Sequence, residues 1–222
     1  MSKTTYRIKD LAKSNKRSFD FRGIDYINYI DTSSIVENVF SDVQQLDCSN
    51  DIIPSRAKKA VEKNTIIYSA IRPNLKHYGI VRNPLDNMVV STGFITLDLT
   101  KEIDHNYFYY NLTQQKYTDF LHTIAINNAS AYPAINPSDL DDLKIEIFDD
   151  LQTQNNIGDL LSKLDYKIEL NNHINTKLEK IAKAIYDYWF IQFDFPAENK
   201  RPLLSTPFFG LRKYRQLRVQ YA

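Results

Sequence analysis

Between Gln152 and about Phe190, apolar side chains recur in alternating steps of four and three residues. Starting at Ile157, the steps reach Leu161, Leu164, Ile168, Asn171, Asn175, Leu178, Ala182, Ile185 and Trp189; eight of these ten positions are apolar and two are asparagine. A period of 3.5 residues sustained over more than four heptads keeps one face of a helix against a partner helix, so the pattern predicts a coiled coil. The stretch contains no proline, and its one glycine, Gly158, falls in the first turns. As a helix it would be about 58 Å long, too long to be covered by the ~150 residues before it, so a partner is expected. A second row, Leu160, Ile174, Ile181 and Tyr188, precedes the seam by one position and is broken only by Lys167. An apolar face this wide suits a bundle of three or four helices better than a pair. The alternative is a core helix packed on its own domain. Asn171 and Asn175 are expected to set register rather than to do chemistry.

Upstream of this helix the periodicity changes repeatedly. Residues 4–13 place Ile8, Leu11 and Ala12 on one side of a short predicted helix. Tyr26–Ile30 alternates like a half-buried strand, and Asp31-Thr-Ser-Ser turns the chain. Ile52-Ile53-Pro54 reads as a strand end or turn before a short helix carrying Ala57, Ala60 and Val61, with Asn64 as the next turn. Thr65–Ile71 is a strongly β-prone run that Arg72-Pro73-Asn74 ends. Tyr78–Val81, Met88–Val90 and Phe94–Leu97 are further strands, the last two joined through Ser91-Thr92-Gly93. Residues 107–126 return to helical spacing through Phe108, Leu112, Tyr117, Phe120, Leu121 and Ile124. Asn127 to Pro133 is a polar loop, Asn136-Pro137-Ser138-Asp139 a turn, and Leu143–Phe148 a final alternating strand. The expected fold is α+β: a mixed globular domain over 1–150 with a twisted sheet and flanking helices, then a long coiled-coil helix over 151–195. A basic tail over 196–222 follows, with six Lys or Arg against one acid after Pro196.

The formal net charge of +1 says nothing about a polyanionic partner, but its distribution does. Arg56 to Arg82 holds seven Lys or Arg and one acid, whereas Asp139 to Asp194 holds twelve acids and six lysines. Two surfaces with two kinds of partner are therefore expected. Cys48 is the only cysteine, so neither an internal disulfide nor a thiolate cluster is available. The N-terminus leads into no apolar signal region, and no run reaches membrane-spanning length, which reads as a cytoplasmic protein.

Catalytic signatures are missing from the pattern. The five glycines, Gly23, Gly79, Gly93, Gly158 and Gly210, are too scattered for a phosphate-cradling loop. Asn136-Pro137-Ser138-Asp139 lacks the aromatic residue of an amino-methyltransferase motif. Asp142-Leu-Lys144 lacks an upstream acid at nuclease spacing. His77, His105, His122 and His173 form no metal-binding spacing. Recognition remains. Arg72, Lys76 and Arg82 interleave with Asn74, His77 and Tyr78, and the loop Asn127 to Tyr132 is rich in amides and hydroxyls. Arg and Lys fix phosphates, whereas Asn, Arg and His read base edges.

Four stretches resemble the specificity subunit of type I restriction-modification systems. They are Ile67-Tyr-Ser-Ala-Ile-Arg-Pro-Asn-Leu75, Val90-Ser-Thr-Gly-Phe94, Tyr132-Pro-Ala-Ile-Asn-Pro-Ser-Asp-Leu140, and the run from Gln154 through Ile157, Leu161, Leu164-Asp165 and Ile168 to Trp189-Phe190-Ile-Gln-Phe193-Asp-Phe-Pro196. The resemblance implies a target recognition domain followed by a spacer helix. The usual member carries two such units, so this chain looks like a half-size form. It would form a homodimer with antiparallel helices and read a split, inverted-repeat double-stranded DNA target. Methyltransferase subunits would dock on it and restriction subunits would join outside them. Their S-adenosylmethionine, ATP and Mg²⁺ would be used by those partners and not bound here. Base-reading residues do not carry over from the family position by position. Loop position and side-chain chemistry nominate Arg72, Asn74, Lys76, His77, Tyr78, Thr92, Asn127, Asn128, Ser130 and Tyr132. A competing reading is a coiled-coil adaptor without productive DNA recognition. The tail reads as a truncation remnant or a basic DNA-touching arm.

Overall fold

The computed structural model describes residues 2–15, 17–128 and 132–191. The basic tail and Ser130 lie outside them. The chain forms two compact units, the first ending at Lys167 and the second beginning at Ile168.

In the first unit, strands β1 (Lys3–Arg7), β2 (Ala12–Asn15) and β3 (Tyr26–Ile30) precede a small hairpin of β4 (Ile35–Val36) and β5 (Val39–Phe40). Strands β6 (Gln44–Asp47), β7 (Ala57–Ala60), β8 (Thr65–Ser69), β9 (Tyr78–Val81), β10 (Met88–Ser91) and β11 (Phe94–Leu99) follow. Helices α1 (His105–Leu112), α2 (Gln115–Asn128) and α3 (Pro137–Asp141), strand β12 (Lys144–Phe148) and helix α4 (Leu151–Tyr186) complete the order.

Two four-stranded sheets, β2-β11-β8-β9 and β6-β3-β10-β7, hold most strands. The period-2 alternation of β8 shows how they stack. Ile66 and Tyr68 enter a large core with α1, α2 and α3, while Ile67 points the other way, to Ile30, Met88, Val90 and Phe94. On β10, Val90 joins that second core and Val89 a third one with Ile27, Tyr29 and Ala57. Helices, first sheet and second sheet are thus successive layers, which is the α+β fold expected. Between the first sheet and the helices Tyr68 stacks on Tyr78 at 5.4 Å, and Tyr109 of α1 meets Tyr78 edge-on at 6.3 Å.

Four local expectations need correction. Residues 4–13 are not a helix: β1 pairs antiparallel with β12, a single turn of 3₁₀ helix buries Ile8, and β2 joins β11. Residues 57–60 are an edge strand on β10, where tertiary pairing overrides the weak β-propensity of Ala and Lys. The helix of residues 107–126 is two helices, divided at Thr113, whose hydroxyl bonds back to the Tyr109 carbonyl at 2.9 Å. Asn136 to Asp139 opens α3, with a capping box between Asn136 and Asp139.

Helix α4 starts beside the head's core. Gln154 is buried; its Oε1 accepts the Asp104 N–H at 3.2 Å and its Nε2 donates to the Phe148 carbonyl at 2.7 Å. One turn later, Gly158 lies against Asp104, Asn106 and Tyr107. Two turns beyond that, Tyr110 donates to Asp165 at 2.6 Å and accepts from Arg82 at 3.4 Å. Burial, and then the bond to Asp165, keep the Tyr110 hydroxyl protonated well above its ordinary range.

The Asp150 carboxylate caps this helix, accepting the N–H and hydroxyl of Thr153 at 2.9 and 2.6 Å. The Thr153 hydroxyl, and then its N–H, hold the Asp150 carboxyl below its usual value. A depressed carboxyl stabilises the fold above its unfolded pKa, and that contribution is lost as pH falls through the folded value. Asp150→Ala is therefore expected to lower Tm at neutral pH. The gap to wild type should close as melts are repeated below about pH 4.

In the second unit the helix continues to Tyr186 and passes into a π-helical turn over Asp187–Ile191. Ile168, Asn171, Asn175, Leu178, Ala182 and Ile185 are all exposed, as are Ile174 and Ile181 of the second row. In the first unit, Leu164 is exposed, Leu161 half-buried, and Ile157 packed against the head's core. The seam available to a partner therefore begins after Ile157, which its own head covers. Trp189 lies in the π turn, where the wider repeat interrupts the α-helical register.

Candidate nucleic-acid interface

Strand β8 ends at Ser69, and the next residues gather three loops. The Ala70 N–H donates to the Gly93 carbonyl at 2.9 Å, and the Ala70 carbonyl accepts from the Ile135 N–H at 2.8 Å. Ile71 bridges to Ala134, and the Arg72 N–H donates to the Pro133 carbonyl at 2.8 Å. These bonds hold the Thr92 turn, the Arg72–His77 loop and the segment from Tyr132 at one end of the first sheet. Asn128, at the end of α2, joins them through weak bonds to the Ala134 carbonyl at 3.4 Å and Asp139 at 3.3 Å. Residues 60 positions apart in sequence thus share one rim.

The loop after β8 is a single 3₁₀ turn, Pro73–Leu75, flanked by Arg72 and Lys76 in left-handed conformation, with φ of 47° and 56°. That geometry turns Arg72 and Asn74 outward while Pro73 is buried. The Arg72 guanidinium stands 6.0 Å from the ring centre of Tyr132, which is 74% exposed. A planar cation and an aromatic ring side by side form a surface on which a phosphate or a base can be held. Thr92 and Asn127 are exposed on the same rim. Gly93 is required beside Thr92, because a Cβ there would meet Thr32 at 2.8 Å.

Lys76 and His77 are tied down. The Lys76 ammonium pairs with Glu37 at 2.6 Å. His77 Nδ1 lies 2.6 Å from the Ile35 carbonyl; a carbonyl only accepts, so Nδ1 carries the proton and Nε2 faces away as the remaining ring nitrogen. Tyr78 does not belong to the interface. It is 4% exposed, packed between Tyr68 and Tyr109, and burial drives its hydroxyl pKa upward, so it is a core residue. Its basic and polar neighbours gave it the appearance of a surface residue, whereas β9 is covered on both faces and leaves none of its four residues exposed.

The β4–β5 hairpin was missed by sequence reasoning. Its tip residues, Glu37 and Asn38, touch the Lys76 loop through the Glu37 N–H to the Lys76 carbonyl at 2.9 Å and the Asn38 N–H to the Tyr78 carbonyl at 2.9 Å. The available signal was Val-Glu-Asn-Val, a two-residue turn with Asn second between β-prone residues. Among the described residues, no helix is long and apolar enough to cross a membrane, and no His, Cys, Asp and Glu group could hold a metal ion.

Known proteins share both the sequence pattern and this fold. The pattern of the type I restriction modification DNA specificity domain matches residues 2–180. The type I restriction enzyme HindI specificity subunit of Haemophilus influenzae is 34% identical over 201 residues, covering 90% of this chain and 43% of the relative. The MjaIX specificity subunit of Methanocaldococcus jannaschii is 28% identical over 154 residues, covering 69% and 32%. The fold matches the crystal structure of the HsdS subunit from Thermoanaerobacter tengcongensis with a TM-score of 0.63 at 20% identity, over 92% of this chain and 51% of that one. The chain therefore spans less than half the length of these curated relatives and about half of the solved one. With a head of the same layered fold and a matching long helix, the chain belongs to the type I restriction-modification DNA specificity family.

Proposed function

We propose that this chain is the sequence-recognition component of a type I restriction-modification assembly. The observation that carries the reading is the rim described above, where Arg72, Asn74, Thr92, Asn127, Asn128 and Tyr132 converge from separate segments. Such a rim has the composition needed to fix phosphates and read base edges in the major groove of double-stranded DNA. The exposed apolar row of α4 supports pairing with a second copy through antiparallel helices. Two identical heads so joined read an inverted repeat split by a non-specific spacer. The remaining width of the row supports docking of methyltransferase subunits, with restriction subunits outside them. In this reading catalysis belongs to those partners, which use S-adenosylmethionine, ATP and Mg²⁺.

The test is selection from a random duplex library by the full chain co-purified with a type I methyltransferase subunit. A bipartite inverted repeat is the expected product. Enrichment of no sequence would reject DNA recognition and leave a scaffold. In the same assay Arg72→Ala is expected to weaken binding evenly across sequences. The slope of log affinity against log salt should fall by about one, as for a phosphate contact.

A further inference from the structure

Of six non-glycine residues with left-handed backbone among those described, four are Glu37, Asn38, Arg72 and Lys76. All four belong to two segments that hydrogen-bond one another. Of the four, only Asn38 is a residue type that favours this region; Glu37, Arg72 and Lys76 are not. Glu37 occupies the first central position of a two-residue hairpin turn with φ of 45°, where Gly, Asn or Asp is usual. Asn38, with φ of 68°, fits the second position, and its Oδ1 accepts the Ile80 N–H at 2.9 Å. Gly79 lets the hairpin lie flat on β9, because a Cβ there would meet Ile35 and, at 3.0 Å, Asn38 Oδ1. The tip is therefore a rigid mount rather than a loose loop.

Stability alone gives the mounted side chain little reason to be glutamate. Its bond to Lys76 joins two partly exposed groups, and exposed pairs contribute little to stability. Its chemistry is more informative. Oε1 accepts from Lys76, and Oε2 makes no hydrogen bond among the described residues. The adjacent ammonium offsets the carboxylate's charge, so the group can approach phosphates that would otherwise repel it. On either side Val36 and Val39 are 45% and 55% exposed, apolar surface that the fold has left uncovered at the tip. In the major groove a carboxylate accepts from the cytosine amino group, and apolar side chains contact the thymine methyl.

We propose that Glu37, held by Lys76 at the tip of the β4–β5 hairpin, reads a cytosine amino group, with Val36 and Val39 against neighbouring base edges. This role rests on the DNA-recognition reading above. Wild type, Glu37→Gln and Glu37→Gly are compared by the same library selection, each as the full chain with its methyltransferase partner, and each is melted as a check on folding. The expected wild-type motif contains one cytosine per half-site, preferred by about tenfold or more. Glu37→Gln should move that position toward adenine, which an amide recognises, and leave the others unchanged. Glu37→Gly should flatten the same position while its Tm holds or rises, since glycine accepts the backbone angle. An unchanged motif in both variants overturns the proposal, as does an even loss of affinity with the motif intact. A wild type that enriches nothing removes the DNA-recognition reading itself, and this role with it.

Discussion

Replacing Ile168, Leu178 and Ile185 together by lysine is expected to turn a particle of twice the 25.9 kDa chain mass into a monomer. All three are more than half exposed, and none belongs to a core cluster of the head. Each is a little over half exposed, so covering the remainder against a partner helix contributes about 0.8–1.6 kcal/mol, and the six side chains lost from a pair of chains cost the assembly about 5 kcal/mol or more. That weakens association by more than a thousandfold, before the repulsion between lysines on facing helices is counted. Light scattering reads the mass, and a melt of the same samples reads the head, whose unfolding should keep its shape. A wild-type chain that is monomeric at every concentration would reject self-pairing. The row would then be the seat of a different protein.

Gly158→Ala is expected to destabilise the head, against the usual sign. Within a helix this exchange ordinarily stabilises by about 1 kcal/mol. Here the added methyl would meet Asp104 Oδ1 and, at 2.9 Å, the Tyr107 nitrogen. Those two atoms are bonded to each other at 2.7 Å as the N-terminal cap of α1. Overpacking costs about 1–3 kcal/mol and loss of a cap about 1 kcal/mol. After the helix-propensity gain, a net loss near 2 kcal/mol remains, a fall in Tm of about 4–8 °C for a domain this size. Combining the exchange with Asp104→Ala should cost less than the two changes added, because both disrupt the same cap. A stabilised Gly158→Ala variant would mean that α4 does not approach α1 so closely.

The long helix was legible because 3.5-residue periodicity is a local property of the chain. The strands Tyr26–Ile30, Thr65–Ser69, Tyr78–Val81, Met88–Ser91 and Phe94–Leu99 were legible for the same reason, since runs of β-branched and aromatic residues need no partner to be recognised. The β-structure at residues 3–7 and 57–60 was not. Both segments carry Lys and small or polar residues, and they become strands only because β12 and β10 offer them edges. The candidate rim divides along the same line. Arg72, Asn74 and Thr92 follow strand ends, where a reader of sequence looks for exposed loops. Glu37 joins them through bonds from Glu37 to Lys76 and Asn38 to Tyr78, which span 39 and 40 positions and leave no periodic trace. Tyr78 failed for the opposite reason: its chemistry suggested a surface, but the helices cover one face of β9 and the second sheet the other.

The pairing of β1 with β12 sets an order on folding. Lys3 to Arg7 lie opposite Phe148 to Lys144, so β1, once synthesised, waits for nearly the whole head before its partner exists. At about 5–20 residues per second, that interval on a ribosome lasts roughly 7–30 s. During it β1 presents an open edge of Thr4, Thr5 and Tyr6, and the two large sheets can assemble without it, because neither contains β1 or β12. The seam that closes the head is therefore among the last contacts made. Slowing synthesis just before residue 144 should lengthen the exposure of the edge without delaying the sheets themselves.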